Sequence, residues 1–235
     1  MRVSKIIWAG SRLKLVHVRF ELPESLASGA LLVKPDPELS LNFRQEGTIY
    51  LTPGPGFGSG LHPTTRMCLS LLERAIGEKS PRSVLDAGTG TGILAVAAGL
   101  LGARWTLGVD VLAGAVATAN VNITLNGVAD RVEARHADVS DVRGVYDLII
   151  ANLYPRNICN LAMRLEKLLA RGGSFILSGL TRFEGPRAIK RLTERRGLTL
   201  TETLWDQGWT TLLLRKPEER PAGPADEPCE GKERT

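Results

Sequence analysis

From Arg82 onward, short apolar runs alternate with amphipathic stretches. RSVLDA, WTLGVD, RVEARH, YDLIIAN and GSFILSG are β-branched or aliphatic runs bounded by Gly, Asp and Asn, and they read as five strands. Helical spacing follows the first, second, fourth and fifth. Leu94, Ala97, Ala98 and Leu101 form one stripe, Leu112, Val116, Ala119 and Ile123 a second, and Ile158, Leu161, Leu165 and Leu168 a third. The fourth helix is expected to open on a capping box, Thr181-Arg-Phe-Glu184. Strands alternating with helices imply a parallel sheet covered on both faces. The rhythm then changes: LTLTETLW and WTTLLLRK flank Asp206-Gln207-Gly208 and read as a terminal hairpin.

Ahead of this region the pattern is shorter. LKLVHVRFEL alternates, ALLVKP is apolar, and GTIYLTP is β-branched, with a Pro-Asp-Pro turn at 35–37 between them. The glycine-rich segment PGPGFGSGLHPTT then runs into a helix in which Thr65, Leu69, Leu72 and Ile76 share a face. The last twenty residues lack apolar content and are expected to form a disordered tail. The organisation expected is a β extension over 1–52, an α/β domain over 53–215 and a tail over 216–235.

Composition narrows the setting. No run approaches the roughly 18 apolar residues that a membrane span needs. The N-terminal residues mix charge with apolar side chains and form no signal-peptide core, so a cytoplasmic protein without a membrane role is expected. Cys68, Cys159 and Cys229 have no paired spacing, which argues against a disulfide framework or a zinc site. The net charge of +5 divides into about −2 over 216–235 and +7 over the rest. The first 22 residues hold five basic side chains against one glutamate, a solvated face or a surface for an anionic partner. Few aromatics interleave with them, so stable nucleic-acid binding is not expected.

The chemistry concentrates where strands end. VLDAGTGTGILAV places Gly88, Gly90 and Gly92 between a strand and a helix, where open α/β sheets receive ligands and where a missing Cβ lets one approach the backbone. A dinucleotide fingerprint requires a third glycine at position 93, which is Ile; a P-loop requires Gly-Lys-Ser/Thr, which is absent. Asp110 closes the next strand, where a carboxylate accepts from ribose hydroxyls in more than one class of nucleoside-binding enzyme. Asp138 follows the third strand.

The Asp86-x-Gly-x-Gly-x-Gly run resembles the first motif of Rossmann-like methyltransferases. PGPGFGSGLHPTT at 53–65 together with Ala151-Asn152-Leu153-Tyr154 resembles the two signatures of the ribosomal protein L11 methyltransferases, and the resemblance extends over about residues 53–215. It implies a class I α/β fold: a seven-stranded, mostly parallel sheet ending in an antiparallel hairpin, here with a small N-terminal β extension. It also implies S-adenosyl-L-methionine as cofactor, held by Thr65, Phe57, Gly58, Gly88, Gly90, Gly92, Asp110, Asp138 and Asn152. Asn152 and Tyr154 fall where the target nitrogen is held, and His62 matches a family position that also suits a helix cap. The implied reaction is N-methylation of a lysine or N-terminal amine of a protein, a ribosomal protein among the candidates. Small-molecule or nucleic-acid N-methylation and a non-catalytic cofactor-binding scaffold are the alternatives; Leu153 after Asn152 departs from the Pro-Pro-aromatic motif of adenine methylation. Ser59 and Val111-Leu112-Ala113 also depart from the family pattern, and the family's N-terminal substrate-recognition domain has no expected counterpart ahead of Trp8.

Overall fold

The computed structural model describes residues 2–9, 12–19, 48–52, 57–60, 62–153 and 158–218. Its centre is a seven-stranded sheet of β4 (Ser83–Ala87), β5 (Trp105–Asp110), β6 (Val132–His136), β7 (Tyr146–Asn152), β8 (Leu169–Thr181), β9 (Thr199–Asp206) and β10 (Trp209–Arg215). The spatial order is β6-β5-β4-β7-β8-β10-β9. The first five strands are parallel, and β10 runs antiparallel to both neighbours. All five expected strands, and the hairpin, are therefore present. The order reverses beside β4: β5 and β6 lie on one side of it, β7 and β8 on the other. A crevice opens at such a switch point because successive crossovers leave in opposite directions.

The inner strands β4, β7 and β8 are apolar on both faces because helices cover both. Alternation along β7 sends Leu148 and Ile150 into a core shared with α1 (Pro63–Lys79), α2 (Ile93–Leu100) and α3 (Ala113–Leu125), where Leu69, Leu72, Ile93 and Ile123 are buried. Ile149 and Ala151 point the other way, into a core with Phe175, Leu177 and residues of α4 (Ile158–Leu165) and α5 (Glu184–Arg196) such as Leu165 and Leu192. Cys68 lies wholly within the first core, and burial pushes its thiol up to about 12, consistent with a packing role.

Three elements differ from expectation. β1 (Arg2–Ala9) pairs antiparallel with β2 (Arg12–Arg19) and with β3 (Thr48–Leu51) in a separate sheet. β1 is an additional strand; its Ile6-Ile7-Trp8 run is the signal that marks it. ALLVKP and the Pro-Asp-Pro turn lie outside the described residues. The third apolar stripe breaks one turn early, with Glu166–Leu168 forming a 3₁₀ turn that leads into a long β8. The capping box at Thr181 is only half formed: the Glu184 carboxylate accepts from Thr181 N and Oγ1, but the helix begins at Glu184, with Phe183 preceding it and making no side-chain cap. Thr181 is still paired in β8, so it cannot turn back onto the helix.

At the far end, residues 216–218 continue past β10. Lys216 Nζ donates to the carbonyls of Glu166 and Leu169 and pairs with the buried Glu166 carboxylate at 2.9 Å. The rest of the expected tail lies outside the described residues.

Candidate active site

β4 ends at Ala87, and the chain turns through Gly88, Gly90 and Gly92, all with positive φ, before entering α2. Two of these glycines have close neighbours, backbone over Gly90 and a side-chain tip over Gly88. A Cβ on Gly90 would lie 2.1 Å from the Phe57 carbonyl oxygen, and one on Gly88 would lie 2.1 Å from Leu153 Cδ2. Gly92 serves packing instead, since its Cβ would meet Ala119 of α3 at 3.0 Å.

Above this turn, at the carboxyl ends of β4, β5, β7 and β8, lies a cavity of about 420 Å³. Gly88, Gly90, Asp110, Asp138, Asn152 and Phe57 all line it, so six of the expected site residues converge. Asp110 braces the turn: Oδ2 accepts from Gly90 N and Oδ1 from Leu112 N, both at 2.9 Å. Each carboxylate oxygen keeps a lone pair for a further donor. Asp138 Oδ1 accepts from Ser140 N at 2.6 Å, and the hydrogen bonds from Ser140 hold its carboxyl below the ordinary carboxylate range. Between the two acids the wall is apolar, formed by Val109, Val111, Leu112 and Val139.

Thr65 and Gly58 sit behind the wall. Thr65 is fully buried in the first turn of α1, and its Oγ1 has no hydrogen-bond partner; the neighbouring Thr64 takes the lining position. Gly58 is buried, and its carbonyl accepts from Thr91 Oγ1 at 2.7 Å. Tyr154 lies outside the described residues. Asp86, just before the turn, is also buried: Oδ2 accepts from Thr89 Oγ1 at 2.7 Å while Oδ1 is unpaired, and burial raises its pKa to about 6.

His62 combines two roles. It is the N-cap of α1, with Nδ1 2.8 Å from Thr64 Oγ1, and its ring stands in the cavity wall between Phe57 and Trp209, edge-to-face with each at 5.2 Å. Burial and the nearby Arg66 charge lower its pKa, favouring the neutral ring. Trp209 and Gly179 complete the side opposite Asp110. Sequence reasoning did not single them out: Gly179 falls within an apolar strand pattern, and only the β8–β10 pairing brings Trp209, the first residue of β10, to this end of the sheet. Among the described residues no group of three acidic, His or Cys side chains is placed to hold a metal ion.

The family model for "Ribosomal protein L11 methyltransferase (PrmA)" matches residues 26–217. A ribosomal protein L11 methyltransferase of Citrifermentans bemidjiense is 38% identical over 199 residues, covering 80% of this chain and 61% of that protein. One from Bacillus licheniformis is 33% identical over 215 residues, covering 91% of this chain and 67% of that protein. The chain thus spans roughly three fifths to two thirds of the length of these relatives. Among solved structures, a ribosomal protein L11 methylase from Lactobacillus delbrueckii subsp. bulgaricus superposes with a TM-score of 0.61 at 32% identity, over 67% of this chain and 81% of that one. With the family's two signatures flanking one cavity and its model matching most of the sequence, the chain belongs to the ribosomal protein L11 methyltransferase family.

Proposed function

We propose that the protein is an S-adenosyl-L-methionine-dependent N-methyltransferase acting on a lysine or N-terminal amine of a protein, with a ribosomal protein as the leading acceptor. One observation carries the reading: a glycine turn braced by Asp110 faces Asn152 across one cavity in a chain matched by this family's model over 26–217. In this reading residues 53–215 are the catalytic unit, 1–52 a β extension and 216–235 an appendage, in a cytoplasmic protein; among the described residues no helix is long and apolar enough to cross a membrane.

The residues fit the cofactor. Gly88 and Gly90 present bare backbone to the cavity, Asp110 has free lone pairs for vicinal hydroxyls, and the apolar wall towards Asp138 suits an adenine ring. Thr65 Oγ1, buried and unpaired one residue from the cavity-lining Thr64, is the polar group that suits the methionine end. When bound, S-adenosylmethionine supplies a methyl group already activated by its positive sulfur. The chain's part is then to hold a neutral amine in line, which is catalysis by positioning. An amine with an ordinary pKa near 10.4 must first lose a proton. The apolar lining lowers that pKa by desolvation, and the Asn152 side chain and adjacent carbonyls accept from the N–H groups that remain.

Asn152→Ala should abolish methyl transfer while the thermal transition stays within about 3 °C of wild type, since the side chain is at the cavity surface and not in the core. The assay incubates the protein with labelled cofactor and, separately, ribosomal proteins, total RNA and a metabolite extract. Label in protein, lost in the variant, supports the reading. Label confined to RNA or metabolites overturns the acceptor, and cofactor binding without any transfer overturns the activity.

A further inference from the structure

We infer that Asn122 is a positioning residue for the cofactor pocket, a side chain that clamps the segment carrying Phe57 onto the glycine turn. The inference rests on the cofactor reading of the cavity. Asn122 is in α3, fully buried, and does not line the cavity. Its Nδ2 donates to the carbonyl of Thr91, inside the glycine turn, at 2.8 Å. Its Oδ1 accepts from Thr52 N at 2.7 Å and Thr52 Oγ1 at 2.8 Å. Thr91 in turn donates from N to the Phe57 carbonyl at 2.9 Å and from Oγ1 to the Gly58 carbonyl at 2.7 Å. One amide therefore ties Thr52, ahead of segment 53–56, to the same turn that holds Phe57 and Gly58 after it.

The residue type follows from the partners. A carbonyl can only accept and a backbone N–H can only donate, so the position needs a donor and an acceptor on one short side chain. Asp lacks the donor, Ala has neither, and Gln is a methylene too long. The clamp matters for binding because the two backbones it joins are already at closest approach: a Cβ on Gly90 would lie 2.1 Å from Phe57 O. With the tie released, Thr91 loses the anchor on its carbonyl, and the Phe57 and Gly58 carbonyls that it holds can shift with it, leaving a cofactor to bear the cost of restoring the wall.

Asn126, the residue that caps the C-terminal end of α3, gives the comparison. It is also buried and holds β3, just before Thr52, accepting from Tyr50 N at 2.9 Å and donating to Tyr50 O and to the backbone carbonyl of Asn122, both at 2.7 Å, but no bond joins it to the glycine turn. A purely structural role predicts the same consequences at both positions. We expect Asn122→Ala to raise the Kd for S-adenosylmethionine, measured by titration calorimetry well below the thermal transition, by about tenfold. Asn126→Ala should lower Tm comparably and leave Kd within about twofold of wild type. If Asn122→Ala does not fold, Thr91→Val removes only the Oγ1 bond to Gly58 and should still weaken binding about threefold. An unchanged Kd in Asn122→Ala, or in Thr91→Val where it must stand in, overturns the inference, as does an equal rise in Asn126→Ala. Failure of wild type itself to bind S-adenosylmethionine overturns the underlying reading instead.

Discussion

Replacing Gly90 with alanine tests the architecture of the site most directly. Two costs arise at this position. Gly90 has φ +55°, and an L-residue held in that left-handed conformation loses about 1–2 kcal/mol. The added methyl would also sit 2.1 Å from a backbone oxygen, and real contacts of this kind stay beyond 3.0 Å. Phe57 O must therefore retreat by close to an ångström, which breaks or stretches the two hydrogen bonds from Thr91. At about 1–2 kcal/mol for each disrupted buried bond, the total is roughly 3–6 kcal/mol. For a domain of this size that corresponds to a fall in Tm of about 6–24 °C. Gly197→Ala is the control, because Gly197 has φ +66° but nothing within 4 Å of its Cβ direction. It bears only the conformational cost, about 2–8 °C. Scanning calorimetry with and without S-adenosylmethionine reads both effects, and Gly90→Ala should also lose most of the ligand-induced rise in Tm. Equal losses of Tm in the two variants, with an undiminished ligand shift in Gly90→Ala, would refute the reasoning that this glycine exists for the close passage of the Phe57 segment.

Asp110→Asn has only one acceptor oxygen to share between Gly90 N, Leu112 N and a ribose. Its Kd for S-adenosylmethionine should rise by about 10–100-fold, and a rise below threefold in a calorimetric titration would exclude the ribose role. For Asp86 the folded pKa, about 6, stands above the ordinary value of 3.8 because burial disfavours the charge. The folded state therefore binds this proton more tightly than the unfolded chain. Its stabilisation is full below about pH 4 and declines by roughly 3 kcal/mol as pH rises to 6. Subtracting the denaturation profile of Asp86→Asn from that of wild type should reveal this decline; parallel profiles would contradict it. Ending the chain at Arg215 removes Lys216 and leaves the buried Glu166 carboxylate with Arg196 alone, at 3.7 Å. Denaturant titration should show a loss of about 2–4 kcal/mol relative to a chain ending at Glu218, and equal midpoints would make the Lys216 contacts superfluous.

The sequence alone determined the layers of this protein. Period-two runs and period-3.6 stripes are properties of local geometry, so five parallel strands, their helices and the closing hairpin were legible from spacing. The glycine turn and Asp110 were legible too, because the carboxyl ends of β4 and β5 are fixed places in any sheet of this kind. What spacing does not carry is which surfaces meet. Thr65 and Thr64 are adjacent in sequence, and only the docking of α1 decides that the first is buried behind the wall and the second faces the cavity. Trp209 enters the site through its antiparallel register with Thr181, and Asn122 reaches Thr91 and Thr52 over 31 and 70 residues of chain. Thr181 illustrates the conflict between levels: its local pattern favours a helix cap, but hydrogen bonding to β10 holds it in the sheet. Such contacts form only when distant segments are brought together by burial of the two cores, and so the tertiary structure decided them.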